Sequence, residues 1–213
     1  MTKTFTESNE PIRLLASQVD QASDVLARAF QDDPAYSKLF PDLDERLHSL
    51  RWLWGGMLKH CLVYGEVYTT PLVNGAAGWL SPGNVEVTFW QMLRTGFALQ
   101  RAVMRFEKNA RDSFLEVLDY LDGVHKDVIK RPHWYLWVLG VDPSCQGQGI
   151  GGKLIEPVLA RSDDEGVPCY LEAMTEKNMT FYKKRGFEVA SEGEVLGQQV
   201  RVWMMLREPG RPV

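Results

Sequence analysis

The sequence predicts one α/β domain spanning residues 1–213. Two features carry this prediction. The nearly uninterrupted apolar run at 134–141 is typical of a strand covered on both faces, and a glycine-rich loop and a segment with helical apolar spacing follow it. A strand, a loop and a helix in this order build α/β folds, and the chain contains no internal repeat or low-complexity segment that would divide it.

The first half of the chain shows both helical and strand patterns. Ser17 and Asp20 form a candidate capping box for the first helix, and a turn of Pro, Asn and Gly at 71–75 is typical of a hairpin. Helical spacing returns through residues 84–130, which we interpret as a helical insertion before the central strand. The predicted elements are a strand at 12–16, helices at 19–30 and 43–63, and hairpin strands at 66–70 and 76–80.

The second half, residues 133–207, alternates more regularly. The buried strand ends at Asp142 and Pro143, and Gly186 ends a later helix because glycine readily adopts the left-handed conformation. Pro157 is expected to perturb the helix in which it lies. After the buried strand, the predicted elements are a helix over 150–159, a strand at 167–173, a helix over 177–185, and strands at 187–192 and 199–206.

Composition and charge exclude several classes of protein. The 24 lysines and arginines against 28 aspartates and glutamates give a net charge of −4, which offers no electrostatic surface for nucleic acid. Cys61, Cys145 and Cys169 lack zinc-ligand spacing, so we expect neither a disulfide framework nor a metal site. No segment has the pattern of a signal peptide or a membrane span. We therefore predict a cytoplasmic protein without nucleic-acid or membrane partners.

The segment 141–153 lies between the buried strand and a helix, where it is suited to bind an anion. Glycines allow positive φ and let backbone N–H groups approach a ligand, and the helix N-terminus adds partial positive charge. Three motifs fit the same residues. They are GxGxxG at Gly147, Gly149 and Gly152, GxxxxGK from Gly147 to Lys153, and QxxGxG at Gln146, Gly149 and Gly151.

These motifs imply different ligands, and two of them meet obstacles. A P-loop requires Ser or Thr after its lysine to hold magnesium, whereas Leu154 follows Lys153. A dinucleotide-binding fingerprint opens a large doubly wound sheet, for which too few residues follow this loop. A glycine-rich turn without a ligand is a further interpretation.

A second motif follows the next predicted strand: Asn178, Phe181-Tyr182 and Gly186-Phe187. Together with QxxGxG, it resembles the GCN5-related N-acetyltransferase (GNAT) superfamily. In that family QxxGxG grips the pyrophosphate of acetyl-CoA, and YxxxGF places a tyrosine beside the thioester sulfur. Over residues 133–209 the chain is most similar to puromycin N-acetyltransferase-like members. One departure is that Asn178 lies only four residues before Tyr182, a shorter spacing than in many superfamily members.

The resemblance implies a GNAT fold, in which a mixed, mostly antiparallel central sheet has splayed central strands and is flanked by helices. Acetyl-CoA would lie between the two splayed strands as a co-substrate. Strand-edge backbone groups would hold its pantetheine arm, and the loop N–H groups would surround its pyrophosphate. The residues implied in coenzyme binding are Leu139, Gly140, Val141, Gln146, Gly147, Gln148, Gly149, Ile150, Gly151, Gly152, Asn178 and Tyr182.

Acetyl transfer to an amine needs a proton donor for the leaving thiolate and a base for the amine. Tyr182 is the candidate general acid, because the pKa values of a phenol (about 10) and a thiol (about 8.5) are close. Glu172 is the candidate base, since it interrupts an apolar strand and alternation places it on one face with Tyr170. His133 and Trp79 are candidate substrate-binding residues. For all four, a packing or solvated structural residue remains the alternative interpretation.

The predicted function is transfer of acetyl from acetyl-CoA to a primary amine of a small molecule, by direct attack in a ternary complex and without a metal. The subgroup resemblance favours an aminonucleoside or another toxic amine. Two alternatives remain open: a non-catalytic acyl-CoA-binding sensor, and an acetyltransferase of protein N-termini or lysines. Because the superfamily often dimerises, the resemblance also admits a homodimer.

Overall fold

Seven strands form one mixed sheet in the computed structural model, which describes residues 9–197 and 199–210. The strands are β1 (Ile12–Arg13), β2 (Gly65–Thr69), β3 (Gly75–Leu80), β4 (Trp134–Val141), β5 (Cys169–Ala173), β6 (Glu188–Val195) and β7 (Val200–Arg207). They lie in the order β1-β2-β3-β4-β5-β7-β6, and only β4 and β5 are parallel neighbours. The expected mixed, mostly antiparallel sheet is therefore confirmed.

Helices flank this sheet, and three of them lie between β3 and β4 in the chain, within the predicted insertion. The helices are α1 (Val19–Ala29), α2 (Pro34–Leu39), α3 (Leu43–Tyr64), α4 (Phe89–Arg94), α5 (Ala98–Val103), α6 (Lys108–Val128), α7 (Ile150–Glu165) and α8 (Glu176–Lys183).

The start of α1 differs from the prediction. A 3-10 turn at Ala16–Gln18 precedes the helix, and the residue at its N-cap is Gln18, which makes no side-chain cap. The side chain of Gln18 instead accepts a hydrogen bond from the backbone N–H of Leu15, at 3.0 Å. The capping box assigned to Ser17 and Asp20 is therefore wrong, because the 3-10 turn takes up the residues on which it would be built.

Two other helices depart from the sequence patterns. α2 was not predicted, although it begins with a regular signal: the Asp33 carboxylate accepts the Ala35 N–H at 2.9 Å, and Pro34 occupies the first helical position. α7 runs six residues beyond the predicted end, to Glu165, and it contains Pro157. Gly166, at φ +67°, then ends the helix in the left-handed conformation.

The helices form one layer on each face of the sheet. α1 packs on β3 and β4, α3 packs on β2 and β3, and their apolar residues join those of α6 in one buried cluster. α7 packs on the opposite face of β3 and β4, in a second cluster that also contains Tyr182 of α8. Gly140 allows α1 to approach closely, since a Cβ there would lie 2.7 Å from Leu26 Cδ2. The two layers leave the middle of the sheet buried on both sides.

The two parallel strands part soon after they begin. β4 and β5 pair only at Trp134 with Cys169 and at Tyr135 with Tyr170. β4 also contains a bulge, because Val138 pairs with Gly78 and Leu136 with Trp79, which leaves Trp137 between them without a partner on β3. Beyond these pairs a gap opens between the strands, so the expected splaying is confirmed.

Candidate active site

The glycine loop leads from the end of β4 to the N-terminus of α7. Its entrance is fixed by Asp142, which accepts hydrogen bonds from Ser144 N (3.1 Å) and Ser144 Oγ (2.7 Å). Gly147 and Gly149 both have φ of +79°, and no side chain caps α7 at Gly149. A Cβ on either glycine would meet no atom within 4 Å, so the space beside the loop is open. Uncapped N–H groups facing open space suit an anion such as a pyrophosphate.

Arg185 lies beside this loop, although no sequence pattern singles it out. A Cβ built on Gly152 would lie 2.5 Å from Arg185 Nη2. The guanidinium lies 3.6 Å from the centroid of the Phe181 ring and donates a 2.8 Å hydrogen bond to the Phe181 carbonyl. Lys153, in contrast, forms an ion pair with Glu10 at 2.6 Å. Arg185 therefore places a positive charge directly against the loop.

A cavity of about 140 Å³ lies where β4 and β5 part. Its walls are mainly aromatic and aliphatic, from Phe30 at the end of α1 and from α2, α3, α6 and β4. Asp33 and Glu172 are the charged residues among the described residues that line it, and Asn178 and Tyr182 lie at the side formed by α8. The lining also contains Leu139, one of the predicted coenzyme-binding residues. We call this space the reaction cavity.

The Glu172 carboxyl group is held inside the protein. Tyr135 donates a 2.8 Å hydrogen bond to its Oε2, and its Oε1 is buried with no hydrogen-bond partner in the described part of the chain. The Tyr170 hydroxyl makes no well-formed hydrogen bond, yet it lies near enough to stabilise the carboxylate. Burial outweighs these contacts and raises the pKa of Glu172 to about 7. Near neutral pH this carboxyl group can therefore both accept and release a proton.

Tyr182 lies on α8, and its ring belongs to the apolar cluster on the face of the sheet that α7 covers. Its ring packs edge to face against Phe181 and Phe187, with centroids 5.1 Å and 5.7 Å away. Burial raises the pKa of the Tyr182 phenol above its ordinary value of 10. The phenol therefore stays protonated over the physiological range, but it is a weaker acid than the close match to a thiol expected from the sequence.

Comparison with known proteins places this geometry in a family. The family model described as an acetyltransferase (GNAT) domain matches residues 113–189. An uncharacterised N-acetyltransferase of Schizosaccharomyces pombe is 31% identical over 209 residues, which cover 92% of this chain and 82% of that protein. The chain belongs to the GNAT acetyltransferase family.

Solved structures show the same GNAT fold. A Corynebacterium glutamicum protein described as histone acetyltransferase HPA2 and related acetyltransferase has a TM-score of 0.66 and 22% identity, and the match covers 97% of this chain and 99% of that one. Arylalkylamine N-acetyltransferase 2 of Aedes aegypti has a TM-score of 0.59 and 14% identity, and the match covers 93% of this chain and 98% of that one. At these identities the likeness shows the fold alone.

The structure separates the predicted site residues of this GNAT acetyltransferase into three groups. Glu172, Tyr182, Asn178 and Leu139 line the reaction cavity. The loop glycines and their neighbours lie at the N-terminus of α7, and Gln146 donates a 3.1 Å hydrogen bond from its side chain to the Val141 carbonyl. Neither of the two candidate substrate-binding residues lines the cavity. These two are Trp79 and His133.

His133 and Trp79 are buried elsewhere. His133 Nε2 lies 2.7 Å from His125 Nε2, and its Nδ1 lies 2.8 Å from the Arg131 carbonyl oxygen. Burial and the neighbouring His133 lower the pKa of His125 to about 4, and burial also lowers the pKa of His133, so both rings are neutral near pH 7. Trp79 is fully buried in the apolar cluster beneath α7.

Asp33 is a cavity residue that sequence patterns miss as a functional candidate. Burial raises its pKa, although the backbone N–H groups of Ala35 and Tyr36 oppose this effect by stabilising the carboxylate. Its Asp-Pro sequence signals only the start of a helix. The packing of α2 against α3 and α6 brings it to the cavity.

Two further observations concern other classes of protein. Within residues 9–197 and 199–210, no group of three or more His, Cys, Asp or Glu side chains is arranged to hold a metal ion. None of the helices in that part of the chain has the length and apolarity needed to cross a membrane.

Proposed function

We propose that this GNAT acetyltransferase transfers acetyl from acetyl-CoA to the primary amine of a small molecule, by direct attack in a ternary complex. The observation that carries the proposal is the gap between β4 and β5, which opens onto a cavity that contains both Glu172 and Tyr182. The uncapped glycine loop lies at the end of the same strand. One end of this arrangement suits a phosphate group, and the other suits an amine.

The residues present fit acetyl-CoA as co-substrate. The coenzyme supplies an activated acetyl thioester when bound. Gly147 to Gly152 offer backbone N–H groups and a helix N-terminus for its pyrophosphate, and Arg185 adds a positive charge against Gly152. Leu139 to Val141 leave the edge of β4 without β5 as a partner, which suits the pantetheine arm. Residues 133–207 thus form the coenzyme-binding half of the domain.

Glu172 and Tyr182 divide the proton transfers. A protonated primary amine is not a nucleophile, so the Glu172 carboxylate accepts its proton, either directly or through water. Tyr135 keeps that carboxylate oriented through its hydrogen bond to Oε2. Tyr182 donates the phenolic proton to the departing sulfur as the C–N bond forms and the C–S bond breaks. The second proton that the nitrogen loses on becoming an amide then restores the phenol. Because both residues line one small cavity, the two transfers can occur around the same reacting centre.

A turnover assay tests this proposal. The purified protein is incubated with acetyl-CoA and a panel of primary amines that includes puromycin, and mass spectrometry detects the acetylated product. We expect at least one amine to be acetylated, and Tyr182→Phe to lower kcat about 100-fold while the Kd for acetyl-CoA changes little. Failure of the folded protein to acetylate any amine would contradict the function, and an unchanged kcat in Tyr182→Phe would contradict the role of Tyr182.

A further inference from the structure

A second, larger hollow adjoins the reaction cavity, and we call it the acidic groove. It is an open groove of about 630 Å³ between α2, the N-terminal half of α6 and the turn between β6 and β7. Lys38 is the basic residue among its described lining residues, and its Nζ donates a 2.6 Å hydrogen bond to Gln199 Oε1. The acidic residues of the groove are Glu45, Glu107, Glu116 and Glu194.

These four carboxylates lack internal counter-charges. Within the described part of the chain, no ion pair involves any of them. Aliphatic residues such as Pro41 and Ala110 also line the groove. Carboxylates clustered in a concave surface attract cations and raise their local concentration. The groove therefore combines four carboxylates with apolar surface and a single described lysine, Lys38.

The acidic groove and the reaction cavity share a wall. Leu39, Val117 and Leu196 line both spaces. Among the described residues that line the cavity, none is Lys, Arg or His, whereas Asp33 and Glu172 are both acidic. The buried Glu172 Oε1 has no hydrogen-bond partner among the described residues. Only the nearby Tyr170 hydroxyl stabilises Oε1, and the described lining of the cavity supplies no cation, so the cavity favours a positively charged ligand.

An aromatic cluster stands next to Asp33. Phe30 and Trp54 lie 4.7 Å apart between ring centroids, and Tyr36 packs edge to face against Phe30 at 5.9 Å and Trp54 at 5.5 Å. All three rings line the reaction cavity together with Asp33. Aromatic faces beside a carboxylate attract an ammonium group, because the ring quadrupole and the charge act in the same direction.

We propose that the acceptor is an aliphatic diamine or polyamine, an inference that rests on the proposed function. The amine next to Glu172 is acetylated, and Asp33 and the aromatic cluster hold a second ammonium. Any further ammonium lies in the acidic groove. Asp33 and Glu172 line one small cavity, so a second ammonium a few methylene groups from the reacting amine meets a carboxyl group of its own. A lysine side chain in a peptide carries only one cation at that depth.

A matched pair of acceptors tests the inference. Pentylamine and its α,ω-diamine, cadaverine, have the same carbon chain and differ only in the second amine. We expect kcat/KM to be about tenfold higher for cadaverine, and Asp33→Asn to remove most of this preference through KM. Asparagine is as good an N-cap as aspartate, so α2 should be retained in this variant.

The groove is tested in the same assay with spermidine. The double variant Glu116→Gln and Glu194→Gln should raise the KM for spermidine about fivefold or more and leave the KM for pentylamine unchanged. Both glutamates are exposed and act on ammonium groups distant from the reacting amine. Asp164→Asn, which removes an exposed carboxylate near the end of α7, is the matched control. High salt should weaken the preference for spermidine, because it screens exposed charges.

Each outcome decides one point. If pentylamine and cadaverine are acetylated equally well, the inference is overturned while the proposed function stands. A lysine-containing peptide with higher kcat/KM than spermidine would also overturn it, in favour of a protein acceptor. If no amine is acetylated, the proposed function itself fails.

Discussion

Replacing Glu172 by glutamine should stabilise the protein at high pH while it slows acetyl transfer. Burial raises the pKa of Glu172 from 4.5 to about 7, so between these pH values the folded protein keeps a proton that the unfolded chain releases. The stability associated with this proton is complete below about pH 4.5 and is lost as the pH rises through about 7. At about 1.4 kcal/mol for each tenfold change in proton affinity, the loss is about 3 kcal/mol.

Glutamine removes this loss because an amide does not ionise. Its side-chain oxygen can still accept the hydrogen bond that Tyr135 donates to Glu172 Oε2. We therefore expect the variant and the wild type to have similar free energies of unfolding near pH 5. By about pH 9 the variant should be more stable by about 3 kcal/mol.

Urea unfolding of both proteins near pH 5, 7 and 9 measures this difference. All other titrating groups are common to both proteins, so the difference isolates Glu172. Glu156→Gln changes an exposed glutamate on α7 and should shift the free energy of unfolding by less than about 0.5 kcal/mol at each pH. A difference between Glu172→Gln and wild type that does not change with pH would refute the reasoning.

Activity supplies the second half of this prediction. In the wild type, kcat/KM should rise with pH through about 7 as Glu172 loses its proton. Glu172→Gln should lower kcat/KM about 100-fold and abolish that inflection. An unchanged inflection in the variant would assign the base to another group.

Three further predictions concern the loop and the buried histidine. Gly149→Ala should lower the free energy of unfolding by about 1 to 2 kcal/mol, because Gly149 has φ of +79°. Gly123→Ala, inside α6, should instead raise it by up to about 1 kcal/mol. Equal effects of the two changes in urea unfolding would contradict this prediction. Arg185→Gln should weaken acetyl-CoA binding about tenfold in calorimetry, because Arg185 lies against Gly152 of the loop. Lys153→Gln should weaken it much less, because Lys153 pairs with Glu10. The reverse order of effects would contradict the assignment of Arg185. In NMR titrations the His125 ring should stay neutral until the pH approaches about 4, with stability lost as the pH falls through that value; a midpoint near the ordinary 6.5 would be contrary evidence.

The order of helices and strands was largely predictable, because most elements have their own apolar periodicity. The bulge at Trp137 was not, since an apolar strand buried on both faces shows no alternation to interrupt. Trp137 and Val138 both pack with the cluster beneath α1 and α3, although strict alternation would separate them. This bulge lies beside the gap between β4 and β5, so local sequence conceals a feature that shapes the cavity.

The candidate site was predictable where one element determines it. Alternation on β5 placed Tyr170 opposite Leu171 and Ala173, and these residues do pack in different clusters. The buried contact between His133 and His125 joins the start of β4 to the end of α6, so it depends on tertiary packing. Asp33 and Arg185 also reach the site through tertiary packing. Asp33 lines a cavity formed mostly by residues distant in the chain, and Arg185 lies against Gly152 of the glycine loop.

A calorimetric titration of the protein with acetyl-CoA should be made first, with CoA, ATP and NAD as parallel ligands. We expect acetyl-CoA and CoA to bind with micromolar Kd and ATP and NAD not to bind, because the glycine loop and the gap between β4 and β5 together suit pyrophosphate and pantetheine. Absence of binding of both CoA forms, in protein shown by circular dichroism to be folded, would contradict the proposed acetyltransferase.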